Sequence, residues 1–106
     1  MASLKWTEYR AIFTNNHVWA LELLMKNNCC LVAGKVHGNY PDSSGGFVVK
    51  LFVDELGGHY ERAKTLDEAK ERLTNLVLDK LFEEGDAYVS ALERRARALM
   101  RASHAV

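Results

Sequence analysis

The side chains with the greatest chemical reactivity in this chain are its histidines and cysteines. The four histidines stand far apart in the sequence, and no metal-binding motif connects them: His17, His37, His59 and His104. Zinc sites are usually built from closely spaced ligand pairs, and the chain has no Cys-x-x-Cys pair, no His-Glu-x-x-His motif and no glycine-rich phosphate loop. We therefore expect no catalytic residue, no metal and no cofactor, and a protein that is not an enzyme.

The two cysteines, Cys29 and Cys30, are adjacent and lie in a run of residues with strand character. Successive side chains of a strand point to opposite faces, so these thiols cannot readily bridge each other or share a metal ion. A reactive cysteine needs a helix start or a basic pocket around it, and a strand provides neither. We expect two buried, structural thiols in a protein of a reducing compartment.

Length and composition are those of one soluble domain, residues 1–106. The chain is 48% hydrophobic and 26% charged, and it lacks an apolar run of the roughly 18 residues that cross a membrane. Its N-terminal residues also lack the apolar run of a secretory signal, so we predict a cytoplasmic protein with no membrane partner. The formal net charge of zero argues against a general nucleic-acid binder, which carries an excess of basic residues.

Alternating apolar side chains predict an antiparallel β-meander over residues 1–63. The predicted strands are Trp6–Phe13, Cys29–His37, Phe47–Asp54 and a short edge strand at His59–Ala63. The segment from His17 to Lys26 fits either a strand or a helix. We favour the strand, because asparagine-rich turns on both sides of it give the meander an even spacing.

The first predicted helix spans residues 65–85. Its start, Thr65-Leu66-Asp67-Glu68, is a capping box, in which Thr65 accepts from the amide three residues on and Glu68 reaches back to the amide of Thr65. The apolar side chains that follow form a stripe that faces the sheet. Gly85 suits the left-handed backbone position that ends a helix.

A second helix is predicted over residues 86–103. Near the end of the first helix, Leu78 and Phe82 leave the sheet-facing stripe, so we expect the second helix to cover them. Arg95 falls within the narrow apolar stripe of this second helix. The fold class is therefore α+β: an antiparallel β-meander of four to five strands followed by two C-terminal helices, the first packed on one sheet face.

The sequence predicts three exposed surfaces that could bind a partner. The first helix has an acidic face with Glu68, Glu71 and Asp79. The open face of the sheet is predicted to carry Trp6, Arg10, Lys50 and Phe52, and strict alternation adds Leu31 and Lys35. This face is either merely solvated or a binding or dimerisation face. The second helix has a basic side formed by Arg94, Arg97 and Arg101.

Residues 57–81 resemble in outline the end of a double-stranded-RNA-binding domain, in which a last strand also leads into a helix with an Ala-Lys step. That family places a lysine cluster at the helix start to grip phosphates. Here Leu66-Asp67-Glu68 stands at that place, and acids at a helix start repel a phosphate from the helix amides. This difference argues against a phosphate site at the helix start.

In its type, the chain resembles the small phage and mobile-element proteins that block host defences, the anti-CRISPR class among them. The shared features are the size, an antiparallel meander with two helices, charged surfaces and the lack of a catalytic motif. The resemblance implies a non-enzymatic inhibitor or adaptor that occludes a surface of a larger protein or ribonucleoprotein complex. The alternatives are a nucleic-acid-binding domain that uses the basic C-terminal helix and a homo-oligomeric module such as a homodimer.

Overall fold

The computed structural model describes residues 3–10, 17–25, 29–38, 46–53 and 57–104. Five strands come first and two helices follow: β1 (Ser3–Arg10), β2 (His17–Leu24), β3 (Cys30–His37), β4 (Phe47–Phe52), β5 (Gly58–Ala63), α1 (Leu66–Glu84) and α2 (Asp86–His104). The predicted α+β class is confirmed. The ambiguous segment that begins at His17 is a strand, and the asparagine-rich turns beside it lie outside the described residues.

The strands form one sheet in the order in which they occur in the chain, and each is antiparallel to the next. Short connections between consecutive strands favour this arrangement. β1 starts at Ser3, earlier than the predicted start at Trp6, and the predicted end at Phe13 lies outside the described residues. Because the strands pair in chain order, β1 and β5 are the two edges of the sheet.

α1 lies across one face of the sheet, which we call the covered face. Its buried side chains, Ala69, Leu73 and Val77, recur at helical spacing. They share one core with side chains of β2, β3 and β4, which include Leu21, Leu23, Ala33, Val36, Val49 and Leu51. The prediction that the first helix packs on one sheet face is confirmed.

A bulge interrupts β3. Leu21 of β2 pairs with Gly34, whereas the next residue, Glu22, pairs with Val32, so Ala33 is an extra residue without a partner. Because the bulge shifts the alternation by one residue, Leu31 before it and Val36 after it are both buried in the core. The prediction that Leu31 shares the open face with Lys35 is therefore wrong.

Gly34, next to the bulge, lets α1 approach the sheet closely. A Cβ atom at this position would lie 2.5 Å from the carbonyl oxygen of Lys50 and 2.6 Å from Cδ1 of Leu73. Real Cβ atoms do not come so close to other heavy atoms. The Leu73 side chain thus rests directly on the backbone of β3, where any other residue would hold it away.

A single residue, Gly85, separates the two helices. Its φ of +54° lies in the left-handed region that favours glycine, and its amide donates to the carbonyl of Leu81 (2.9 Å). The prediction that Gly85 ends the first helix is confirmed. α2 then passes the end of β4, where the buried Tyr88 hydroxyl donates to the carbonyl of Phe52 (2.9 Å).

Leu78 and Phe82 remain exposed, at 48% and 93% of their full accessibility. The prediction that the second helix covers them is wrong. The physical reason is that the apolar stripe of α2 is used elsewhere, since Tyr88 and Leu92 are buried in the same core as the sheet. The exposed side of α1 is left without a cover among the described residues.

We expect Gly34→Ala to lower the free energy of unfolding by about 1 to 3 kcal/mol, the range for overpacking a filled core. The new methyl group would collide with Leu73 and with the Lys50 carbonyl. Urea denaturation of both single variants and of Gly34→Ala/Leu73→Ala measures the coupling. The cost should be smaller once the Leu73 side chain is removed, and an equal cost in both backgrounds would show that Leu73 is not the obstacle.

We expect Tyr88→Phe to cost about 1 to 3 kcal/mol at neutral pH, because the Phe52 carbonyl loses its buried donor. Burial, and secondarily the carboxylate of Glu84, raises the pKa of Tyr88 well above its ordinary value of 10.0. The folded state therefore holds the phenol proton more tightly than the unfolded state, and this stabilisation declines as the pH rises above 10.0.

The free energy of unfolding of the wild type should thus fall above pH 10.0 more steeply than that of Tyr88→Phe. Urea denaturation across that alkaline range makes the comparison. Tyr60→Phe is the matched control, because Tyr60 is 61% exposed and its replacement should leave the slope unchanged. Parallel declines in the wild type and Tyr88→Phe would contradict the account.

Candidate interaction surfaces

Glu68, one of the three residues predicted to form an acidic surface, instead makes contacts within the protein at the start of α1. The hydroxyl of Thr65 accepts from the amide of Glu68 (3.1 Å), which confirms the cap. The carboxylate of Glu68 accepts from the amide of Lys64 (3.2 Å), one residue before the predicted donor, and pairs with Arg72 (3.0 Å). Glu68 therefore holds the helix start together and is not a free carboxylate.

The side of α1 that points away from the sheet is acidic with an apolar centre. We call it the acidic face of α1, and its exposed residues are Asp67, Glu71, Asn75, Leu78, Asp79 and Phe82. Glu71 and Asp79 form no ion pair with any described residue. Glu71 and Asp79, two of the three residues predicted to form an acidic surface, thus share this face with Leu78 and Phe82. The sequence had predicted that α2 would cover Leu78 and Phe82.

Trp6 does not lie on the open face of the sheet. It pairs with Leu21 of the core, packs against the core cluster, and has the ammonium group of Lys70 of α1 5.3 Å from its ring centre. Its predicted place on the open face is wrong, because the pairing of β1 with β2 turns Trp6 toward α1. Arg10 pairs with His17, and its side chain lies outside the described residues.

Phe52 is covered as well. It is 7% exposed, and the guanidinium carbon of Arg95 lies 3.9 Å from its ring centre, so its predicted exposure is wrong. The arginine that interrupts the apolar stripe of α2 thus stacks on the last residue of β4. Of the three predicted open-face residues whose side chains are described, Lys50 is the one that the structure places there half-exposed.

The face of the sheet opposite α1, here called the outer face, carries a row of side chains across all five strands. Paired positions run through Thr7, Ala20, Lys35, Lys50 and Tyr60. A neighbouring row contains Val18, His37, Val48 and Arg62. Sequence reasoning missed Tyr60 and Arg62, although their positions two apart in a short strand were a signal that they share a face.

The basic side of α2 is exposed as predicted. Arg94, Arg97 and Arg101 are all exposed, and Arg97 pairs with Glu93 one turn earlier (3.6 Å). On the same helix, Leu99 and Met100 are 60% and 63% exposed. The last turns of α2 therefore offer both charge and apolar surface.

The cysteines are exposed free thiols, so the prediction that they are buried is wrong. β3 begins at Cys30, and both residues lie at the end of the sheet rather than under a helix. Desolvation raises the pKa of the Cys30 thiol, and the carboxylate of Glu22, to which the thiol hydrogen-bonds, raises it further. A thiol that holds its proton in this way is a weak nucleophile at neutral pH.

No family model, no curated protein and no solved structure matches this chain. Within the described ranges, no group of three or more His, Cys, Asp or Glu side chains is arranged to hold a metal ion. Neither α1 nor α2, as far as they are described, has the length and apolarity of a membrane-crossing helix.

We expect Glu68→Lys to cost about 1 kcal/mol of stability, because it removes a cap interaction and places a positive charge beside Arg72 and the helix start. Glu71→Lys and Asp79→Lys make the same charge change on the exposed side of α1. They should stay within about 0.5 kcal/mol of the wild type. Thermal and urea unfolding measure the stability of all three variants. Equal destabilisation would contradict the conclusion that Glu68 stabilises the helix start whereas Glu71 and Asp79 do not.

Proposed function

We propose that this protein is a non-enzymatic protein-binding module that docks through the acidic face of α1. One observation carries the proposal: Phe82 is 93% exposed on a regular helix, and Leu78, one turn earlier, is 48% exposed. Burying an apolar side chain of this size contributes about 1.5 to 3 kcal/mol. Aromatic side chains, phenylalanine among them, are enriched in protein interfaces.

The charges around these two side chains select the partner. Glu71 and Asp79 are exposed on the same face as the apolar centre, so the complementary surface is a cationic groove with an apolar floor. Grooves that bind nucleic acids carry such charge, and α1 in the groove would exclude the nucleic acid. The protein would then inhibit a larger protein or ribonucleoprotein complex by occlusion, in the manner of the small anti-defence proteins of the anti-CRISPR type.

A cytoplasmic location is part of this proposal. Cys29 and Cys30 are exposed as free thiols, and exposed thiols persist where the surrounding redox conditions keep them reduced. The complexes that such an inhibitor would occlude also act in that compartment.

A second candidate function, self-association, is favoured by the end of α2. The exposed Leu99 and Met100 lie on the helix that carries the basic arginines, and in a dimer they could meet the acidic face of α1 of the second copy. A monomer in light scattering at high concentration would count against this candidate.

The remaining alternative is nucleic-acid binding by α2. It is favoured by the exposure of Arg94, Arg97 and Arg101 on one side of the helix. It predicts an affinity that falls steeply with salt and that disappears when these arginines are replaced.

We expect Leu78→Ser/Phe82→Ser to weaken partner binding about 30-fold or more, the effect of removing a buried aromatic anchor worth about 2 kcal/mol. The tagged wild type and variant are incubated with a nuclease-treated bacterial lysate that contains defence complexes, and retained proteins are identified by mass spectrometry. The affinity of the retained protein is then measured with purified components.

Leu99→Ser/Met100→Ser is the matched control, because it removes apolar side chains that are also more than half exposed from another surface. A protein that binds the wild type and this control, but not Leu78→Ser/Phe82→Ser, supports the proposal. Equal retention by both double variants would rule out the acidic face as the docking site.

A further inference from the structure

β1 forms one of the two edges of the sheet, and it is long and regular. Its pairing with β2 runs without a register shift over all 8 residues, from Ser3 to Arg10. Within the described part of the chain, β2 is the one strand that pairs with it. Proteins usually protect an edge with a short strand, a proline, a bulge or a covering element, because an open edge pairs with other chains. β1 contains neither a proline nor a bulge.

The hydrogen-bonding alternation shows which backbone groups of β1 are directed away from β2. The amide of Gly38 donates to the carbonyl of His17 (3.2 Å), so His17 directs its backbone groups toward β3. The bonding direction alternates at each residue of a strand, so the even-numbered residues of β2, Ala20 among them, bond to β1. The partner of Ala20 is Thr7. The odd-numbered residues of β1 therefore bond to β2, whereas the even-numbered residues direct their N–H and C=O groups outward.

Leu4, Trp6 and Glu8 carry these outward backbone groups. None of the described residues forms a backbone hydrogen bond with them. The opposite edge of the sheet is different, because the carbonyl of Arg62 in β5 accepts from the guanidinium of Arg72 (3.4 Å). A side chain of α1 thus occupies part of the β5 edge, whereas the β1 edge keeps the capacity to bond another strand.

Lys5 and Glu8 are the charged side chains of β1 that the structure describes, and both have a partner in β2. Lys5 stands directly opposite Glu22, and a carboxylate oxygen of Glu8 lies 2.9 Å from Nδ1 of His17. An unpaired charge at an edge repels or hinders an approaching strand. Because these two charges have partners within their own sheet, they give the edge little protection.

We propose that β1 pairs antiparallel with β1 of a second copy about a two-fold axis at Trp6, so that the two sheets become one. In this register Leu4 of each copy stands opposite Glu8 of the other, and Trp6 stands opposite Trp6. Every outward N–H and C=O group of these three residues then has a partner. Leu4 and Trp6 are half-buried against the core, and the pairing would bury more of their apolar surface.

The side chains favour this register of the strand with itself. Lys5 stands opposite Thr7 of the second copy, so no like charges are directly opposed. Registers centred on Lys5 or Glu8 would oppose two identical charges, and one centred on Thr7 would bring the two Glu8 carboxylates to diagonal positions. The Trp6 pair adds an aromatic cross-strand contact. The strand is therefore complementary to itself, which favours a second copy over an unrelated strand.

Analytical ultracentrifugation of the full chain, from about 1 μM to about 1 mM, tests the association. The wild type should pass from monomer to dimer within this range. A wild type that remains a monomer throughout would overturn the proposal.

Amide hydrogen exchange of the wild type locates the contact without a mutation. In dilute solution the amides of Leu4, Trp6 and Glu8 should exchange fast, whereas those of Lys5 and Thr7, which bond to β2, should exchange slowly. At high concentration the first three amides should become protected as the dimer forms. A dimer that leaves them unprotected would overturn the proposal.

Glu8→Pro removes an outward N–H from each copy, and an edge strand tolerates a proline at such a position. It should weaken the dimer about 10-fold or more, because the bonds of Glu8 to the second copy are lost. Glu8→Ala is the matched control, since it removes the same carboxylate and keeps the N–H, and it should dimerise like the wild type. Equal weakening by both variants would overturn pairing through the backbone.

Two substitutions at one position test the register. Thr7→Glu places a carboxylate opposite Lys5 of the second copy and should tighten the dimer, whereas Thr7→Lys should weaken it, each by about 2- to 5-fold. The difference between the two variants is the measure, because both replace the same side chain by a charged one. Weakening by both would indicate a register centred on Thr7 and would overturn the one proposed.

The β1 edge shares no residue with the acidic face of α1 or with the exposed end of α2, so the proposals are tested separately. Leu78→Ser/Phe82→Ser should dimerise like the wild type even where it loses the partner protein. Leu99→Ser/Met100→Ser should also dimerise like the wild type. A dimer that this variant abolishes and Glu8→Pro retains would overturn the proposal by moving the contact to α2.

Discussion

The bulge in β3 is the constraint on which both faces of the sheet depend. With Ala33 as an extra residue, Leu31 and Val36 both point into the core. In a regular strand these two side chains would lie on opposite faces, because an odd number of positions separates them. A regular strand that buried Leu31 would also have turned Lys35 toward α1, where an ammonium group without a carboxylate costs several kcal/mol. The same bulge that completes the core therefore places Lys35 beside Lys50 on the outer face.

The second constraint is that α2 has one apolar stripe and uses it in the core. Tyr88 and Leu92 are buried there, and Arg95 of the same stripe covers the ring of Phe52. Tyr88 and Leu92 are therefore not available to cover the far side of α1, and Leu78 and Phe82 stay exposed. The exposure of Leu78 and Phe82 is thus a direct consequence of how α2 closes the end of the sheet.

Local signals predicted much of this fold, and long-range pairing decided the rest. The cap at Thr65, the turn at Gly85 and the strand at residues 47–52 each depend on neighbouring residues, so the sequence was sufficient. The side of Trp6 depends on its pairing with Leu21, and both faces of the first predicted strand carry aromatic residues. Gly34 was an available signal, because an isolated glycine within a strand indicates a bulge or a close backbone approach, and here it marks both.

A formal net charge of zero hides an uneven distribution of charge over the surface. The acids Glu71 and Asp79 lie on the far side of α1, whereas Lys35 and Lys50 lie on the far side of the sheet. The shortest extent of the molecule is 23 Å, well beyond the Debye length of about 8 Å at physiological salt. The two charged surfaces are therefore screened from each other.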